Sequence, residues 1–328
     1  MPSLRIVKPG LLTTVQDRGR SGWEAYGVPQ GGARDLRAYL WANRLAANPP
    51  GAAVLEAVLL GPTVSVTEPC WLATAGAAAV TVDGSKRPGW AGFWVRAGAA
   101  VSLERLVGAR AYLAVHGGID VEPVLGSRST DLESGFGGHE GRALRAGDVL
   151  RIGAADGAPY AGREVLRHPR PPEPRSPLTV RAVRGPRDGD FPEEARNALF
   201  AADYIVSSRS NHVGLRLDGP PIPTSSRGGR ISEPMPVGGV QVTPAGQAVI
   251  LLNARGTIGG YPLLATVCTP ELWLLGQARP NDTVRFELVS VELAQAIARE
   301  AFHALLAEQP VRDLLPPPER GEQRRSGG

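Results

Sequence analysis

The chain has 328 residues, 42% hydrophobic and 21% charged, which suits about two domains with substantial cores. Two isolated cysteines exclude a disulfide framework or a cysteine-built zinc site, and the absence of a leading apolar segment or a run of about 18 apolar residues points to a soluble, cytoplasmic protein. The net charge of +4 is almost all arginine, gathered in residues 163–175 and after Pro310, with no dense basic block interleaved with aromatics, so nucleic acid is a weak candidate partner.

With 41 Gly and 30 Pro, the composition favours short strands joined by turns. Residues 4–7 and 11–15 read as strands separated by the turn Pro9-Gly10. The polar, glycine-spaced segments 16–22 and 27–35 follow, and Asp35 is placed to cap a helix over 36–47 that ends before Pro49-Pro50. Strand signals then recur at 54–60, 63–66, 71–75, 79–82, 92–95, 100–105 and 111–115, with Asp83-Gly84 as a hairpin turn. Many short strands at regular spacing predict a barrel or sandwich.

Residues 154–177, rich in Pro, Gly and Arg, break the pattern and read as a linker unable to hold a regular ladder. Strands resume at 178–183, 240–243, 248–252, 262–267 and 283–288, with a short helix over 193–204. Ser290 caps a closing helix from 291 to 307, with Leu293, Ile297, Phe302 and Leu305 on or near one face. The division expected is 1–153, a linker 154–177, 178–309 and a disordered tail 310–328. Both halves share a plan of strand, polar loop, helix and further strands, which hints at two related barrels.

Glycines crowd 111–150, where the backbone turns often and Arg128, Ser129, Thr130 and Asp131 are available to a ligand. There is no phosphate-binding GxxxxGK[ST], no GxGxxG after a strand, no HExxH and no GxSxG; Gly259-Gly260-Tyr261-Pro262 leads into a strand and lacks the helix N-terminus of a phosphate site. Cys70 and Cys268 read as buried free thiols, and His168 and His303 as solvated. His116 reads as partly buried, and His212, beside Ser210 and Asn211, is the best catalytic candidate among the histidines. Three clusters mix an arginine with acceptors and hydroxyls: Gln16–Arg20, Arg128–Asp131 and Ser208–His212. Each suits a small anionic substrate, and each equally suits ion pairs that lock loops across a barrel end.

At these clusters the sequence resembles the family of the 5-oxoprolinase C subunit, also called KipA, allophanate hydrolase subunit 2 or biotin-dependent carboxyltransferase. The matching stretches are GLLTTVQDRGRSGWEAYGVPQGGARD (10–35), AVLEAVLLGPTV (53–64), YLAVHGGIDVEPVLGSRSTDLESGFGGHEGRALRAGD (112–148), SSRSNHVGLRL (207–217) and GGVQVTPAGQAVILLNARGTIGGYP (238–262). The resemblance implies two tandem cyclophilin-like β-barrels, a mostly β fold with a few short helices. It implies a subunit that opens 5-oxoproline to glutamate with ATP, in a complex with a KipI-like B subunit and a lactam-utilisation A subunit. It leaves room for a carboxyltransferase component of a urea carboxylase-type system, or for a regulator that binds a KipI-like kinase inhibitor. No metal and no covalent biotin are implied, since no AMKM-like attachment motif occurs.

Carried over by position, the resemblance points to Asp17, Arg20, Arg128 and Asp131 as catalytic. Arg20 and Arg128 would bind carboxylate or phosphate, and Asp17 or Asp131 would orient them or move a proton. Gln16, Ser129, Thr130, Ser210, Asn211, His212, Gln241, Gly259, Gly260 and Tyr261 would bind substrate. The chain departs from the family pattern at Ala254 and Gly256, where Asp and Gln are usual, and at His212, where Arg is frequent. Little activity is expected of the chain alone.

Overall fold

The computed structural model describes residues 1–155, 164–169, 171–223 and 231–314. The fold is mostly β, as expected. Among the described residues twelve strands form one sheet, eleven of them from residues 3–167 and one, Val311–Leu314, from beyond the second half, and seven strands of the second half close into a barrel.

The first sheet is built on the antiparallel pair Cys70–Val82 and Ala100–Val115. The sequence pattern reads these as four short strands, because glycine and register changes look like strand ends. Gly76 instead sits at a positive φ of 87°, and the pairing shifts register between Gly76 and Val80. These bulges bend the strand without ending it. The curved sheet buries two faces. One encloses Leu4, Ile6, Val64, Leu72, Val101 and Val115. The other packs under the helix Leu36–Leu45, where Tyr39, Trp41 and Leu45 meet Trp71 and Tyr112. That helix is capped as its sequence demands, by Asp35 accepting from the Ala38 N–H at 2.9 Å.

In the barrel, the strand Leu178–Arg184 alternates buried and half-buried positions, pointing Leu178, Val180 and Ala182 into the core. It runs parallel to Thr283–Leu288, and the remaining barrel pairs are antiparallel. The expected helix over 193–204 stops at Ala201, and Asp203–Val206 joins the barrel as a strand, paired with Gly214–Asp218, which the sequence pattern passes over.

Two pieces expected to hold no ladder do hold one. Glu164–Arg167 pairs with Ala91–Val95 on one side and with Val311–Leu314 on the other. The prolines that argued against a strand begin only at Pro169, so the residues before them keep their donors. Of the expected linker and tail, residues 156–163, 170 and 315–328 lie outside the described residues. His168, expected to be solvated, is 5% exposed and packs between Trp41 and Trp90, and burial lowers its pKa to about 4. Cys268 is buried, as expected, whereas Cys70 is only half-buried.

The closing helix Val291–Ala307 is capped by Ser290, which accepts from Leu293 N–H. It buries none of its residues fully. Phe302 is 60% exposed, and only Leu305 of the expected apolar face packs against the Trp41 cluster. Just beyond it, Glu308 accepts from Arg44 and Trp41, so the segment after the helix is tied to the first half. Among the described residues no helix is long and apolar enough to cross a membrane.

The two halves meet along a seam centred on Gln277. Its side-chain amide N–H donates to Asp35 Oδ2 at 2.8 Å and to the Arg110 carbonyl at 3.1 Å, and its Oε1 accepts from Arg110 N–H at 3.0 Å. Gly276 lies flat on the backbone of Arg34, where a Cβ would come within 2.8 Å of the carbonyl. On the opposite side Gly31 N–H donates to the Asn253 carbonyl at 3.0 Å and Asn253 donates to the Ala33 carbonyl at 3.2 Å.

Burial raises the Asp35 pKa to about 6, against the pull of its hydrogen bonds from Ala38 and Gln277. A carboxyl whose pKa is higher folded than unfolded binds more protons in the native state between the two values, so its contribution to stability falls as pH rises through that window. Relative to wild type, Asp35→Asn should therefore gain stability as pH rises from about 4 to about 6. Urea midpoints of both proteins across that range check it; a constant difference would refute the shift.

Candidate functional site at the seam

A cavity of about 60 Å³ opens where the halves meet. Its floor is one face of three paired strands. Leu12, Thr14 and Gln16 alternate along Leu12–Gln16, and Glu56 and Val58 lie opposite on Val54–Leu60. Arg110 pairs with Val58 from Ala100–Val115. Period-2 alternation puts these residues on a common side. Gly31, Gly32 and Arg34 form one wall, Thr130, Asp131 and Leu132 another, and His212, Asn253 and Ala254 close it from the barrel half.

Asp17 builds the second wall without lining it. Its Oδ1 accepts from Ser127 Oγ at 2.6 Å, Ser129 Oγ at 2.5 Å and Gly19 N–H at 2.8 Å, and its Oδ2 accepts from Arg128 N–H at 2.5 Å. Thr130 then donates from both its backbone N–H and its hydroxyl to the Val15 carbonyl, and its own carbonyl accepts from Gln16. Gly138 closes over Thr130 so tightly that a Cβ would fall 1.9 Å from its hydroxyl. Asp131 is 4% exposed, and its Oδ1 accepts from Glu133 and Ser134 N–H groups. Among the described residues its Oδ2 is buried without a hydrogen-bond partner, as is Gln16 Oε1.

The residues singled out in the sequence thus divide. Gln16, Thr130, Asp131 and His212 line the cavity. Asp17, Ser129 and Arg20 stand behind its wall. Arg20 is 1% exposed, donates to the Ser129 carbonyl at 2.5 Å and lies 4.7 Å over the Phe136 ring. Arg128 turns outward, donating to the Val121 carbonyl and facing Asp120 at 3.6 Å. Ser210 and Asn211 shape the loop that carries His212: Ser210 Oγ accepts from Arg216 N–H, and Asn211 Oδ1 accepts from Val213 and Gly214 N–H groups. Gly259, Gly260 and Tyr261 line a separate cavity of about 310 Å³ with Arg187, Asp190 and Glu233, and Gln241 donates to the Tyr261 carbonyl. Two of the three departures, Ala254 and His212, face the seam cavity, while Gly256 does not line it.

Sequence motifs do not single out Arg34, Glu56 or Arg110. The available signal for two of them is a single charge inside an apolar strand, Glu56 in VLEAVLL and Arg110 beside AYLAV. Glu56 Oε2 accepts from Tyr112 OH at 2.6 Å and from Arg34 N–H at 2.8 Å, and its Oε1 faces Arg110 Nε at 3.5 Å. Burial, and then the neighbouring Arg110 cation, hold the Arg34 guanidinium below its ordinary range. His212 is lowered by burial and by Arg34, against Glu133, whose carboxylate lies 3.0 Å from its Nε2. Among the described residues no group of His, Cys, Asp and Glu gathers in the manner of a metal site.

These features define a mostly β protein with a small, charged cavity shared by its two halves. The family model described as "Carboxyltransferase domain, subdomain A and B" matches residues 26–288, and the chain belongs to that family. It is 36% identical over 297 residues to the C subunit of 5-oxoprolinase from Escherichia coli (strain K12), an alignment covering 89% of this chain and 93% of that protein. It is 31% identical to urea amidolyase of Lachancea kluyveri over 90% of this chain but 17% of that protein. Among solved structures it is similar to the K. lactis urea amidolyase, with a TM-score of 0.85 at 28% identity over 92% of this chain and 20% of that one. It is also similar to TTHA0988, with a TM-score of 0.78 at 37% identity over 88% of this chain and 56% of that one.

Asp17→Ala leaves two buried hydroxyls and two N–H groups without their acceptor, and should destabilise the protein by about 3 kcal/mol or more. Urea denaturation reads the loss, and limited proteolysis should cut first within residues 127–138.

Proposed function

We propose that this chain is the C subunit of an ATP-dependent 5-oxoprolinase, opening 5-oxoproline to glutamate together with a KipI-like B subunit and a lactam-utilisation A subunit. The observation that carries the reading is the 36% identity to a 5-oxoprolinase C subunit, which extends over 93% of that protein. The seam cavity is the substrate site. Its size suits a small ring, and its lining pairs cations with a carboxylate, Asp131, whose Oδ2 has no partner among the described residues. Opening a cyclic amide requires proton movement at the ring nitrogen and at the attacking water, and in this reading Asp131, which lines the cavity, serves it. Asp17, Arg20 and Ser129 act behind it by holding the 127–131 loop, and Arg128 lies outside the reacting site.

In this reading ATP acts in the assembled complex; in the larger cavity of this chain Arg187 stands with Asp190 and is paired with Glu233. Ala254 and His212 alter the cavity wall relative to the family pattern, so recognition of the substrate is tuned by this chain's own residues. A second reading, the carboxyltransferase component of a urea carboxylase-type system with biotin on a separate carrier, is favoured by the TM-score of 0.85 to the K. lactis urea amidolyase.

The test is 5-oxoproline-dependent ATP hydrolysis by this chain mixed with its KipI-like and lactam-utilisation partners. Turnover should require all three. Asp131→Asn should lower it about 100-fold or more while leaving the thermal midpoint in place. An assembled complex with no turnover, but with carboxyl transfer from a biotinylated carrier to urea, would overturn the first reading in favour of the second.

A further inference from the structure

We propose that Arg34 is a carboxylate anchor: its guanidinium binds the carboxylate of a small carboxylic acid in the seam cavity, leaving Asp131 and Gln16 to meet the rest of the ligand. The proposal rests on the seam cavity being the substrate site. Arg34 is not among the residues to which the family motifs assign a role.

Arg34 is 8% exposed and yet faces the cavity. Its backbone cannot withdraw it, because its N–H is held by Glu56 Oε2 at 2.8 Å and its carbonyl is pressed against Gly276. A guanidinium carries five N–H donors and stays charged at any ordinary pH. Among the described residues only one of them has a partner, the Asn211 carbonyl, at 3.4 Å. That is close to the limit of a hydrogen bond.

The counter-charge is shared as well: Glu56 favours the Arg34 cation, but less than burial and Arg110 oppose it. The nearest carboxylate, Glu56, already accepts from Tyr112 and from the Arg34 N–H and faces Arg110. Arg110 adds a second cation, the largest electrostatic influence on Arg34 after burial itself. Asp131 shares the cavity, but among the described residues no ion pair joins it to Arg34, and one of its oxygens is held by its own turn. A buried cation with one long hydrogen bond and a shared carboxylate is costly, whereas a bound carboxylate would accept two parallel N–H bonds from the fork and supply a charge of its own. The cavity of about 60 Å³ limits the ligand to a small molecule. In 5-oxoproline the carboxylate and the lactam N–H sit on adjacent ring atoms, which matches a cation and a free carboxylate oxygen in one cavity.

The experiment is isothermal titration of the purified full chain with 5-oxoproline and with 2-pyrrolidinone, the same lactam without its carboxylate. 5-Oxoproline should bind at least tenfold more tightly. Arg34→Leu should remove that preference, weakening 5-oxoproline at least tenfold and leaving 2-pyrrolidinone unchanged. Arg34→Lys, which keeps the charge and loses the fork, should fall between them. The thermal midpoint of Arg34→Leu should not drop, because that substitution removes a buried charge with little compensation. Equal binding of the two lactams, no binding of either, or full 5-oxoproline affinity in Arg34→Leu would each overturn the anchor. Those results would leave the functional assignment to the turnover assay. Carboxylate-dependent binding without stimulated ATP hydrolysis would uphold the anchor and sink the assignment.

Discussion

The seam between the two halves depends on the side chain of Gln277. A buried primary amide offers two donors and an acceptor, and all are used across the boundary, on Asp35 Oδ2 and on both backbone groups of Arg110. Directionality is the point of such a contact. An apolar pair could bury as much surface, but it would tolerate sliding, whereas three hydrogen bonds fix the barrel's angle and register against the first sheet. Asp35 is at once the cap of the helix Leu36–Leu45 and a partner of Gln277, so the helix start and the seam are set by one carboxylate.

The cavity is a consequence of this docking. Its floor belongs to the first half alone, a polar stripe on three strands that would otherwise face water. Among the described residues the barrel half supplies only His212, Asn253 and Ala254. Covering the stripe strips water from Glu56, Arg34 and Arg110 together, and the protein answers with a chain of hydrogen bonds from Asp35 N–H through Tyr112 to Glu56. That chain satisfies the carboxylate, while burial and then the neighbouring Glu56 and Asp35 carboxylates hold the tyrosine pKa well above its usual value. It does not satisfy Arg34. Charges left short of partners in a closed site are the property a binding site needs and a folding core avoids.

The polar loop motifs serve two different ends. Asp17 and Arg20 are spent within the protein, one organising residues 127–129 and the other anchoring the Ser129 carbonyl. Their yield is positional: Thr130 and Asp131 are presented to the cavity on a rigid wall, with glycine at Gly138 because no side chain fits against Thr130. A motif of polar residues can therefore be both structural and essential to a site without touching a ligand.

The sequence by itself determined the mostly β class, the caps at Asp35 and Ser290, the hairpin at Asp83-Gly84 and the family, because these rest on local periodicity, turn chemistry and ordered motifs. It also pointed to Gln16, Thr130, Asp131 and His212. Tertiary structure alone decided that four strand signals are two bent strands. It alone placed Glu164–Arg167 and Val311–Leu314 side by side, and His168 between two tryptophans. Those outcomes depend on partners distant in the chain, which no local pattern encodes. The same holds for Arg34, Glu56 and Arg110: each looks like an isolated charge until strand pairing and the docked barrel bring them around one cavity.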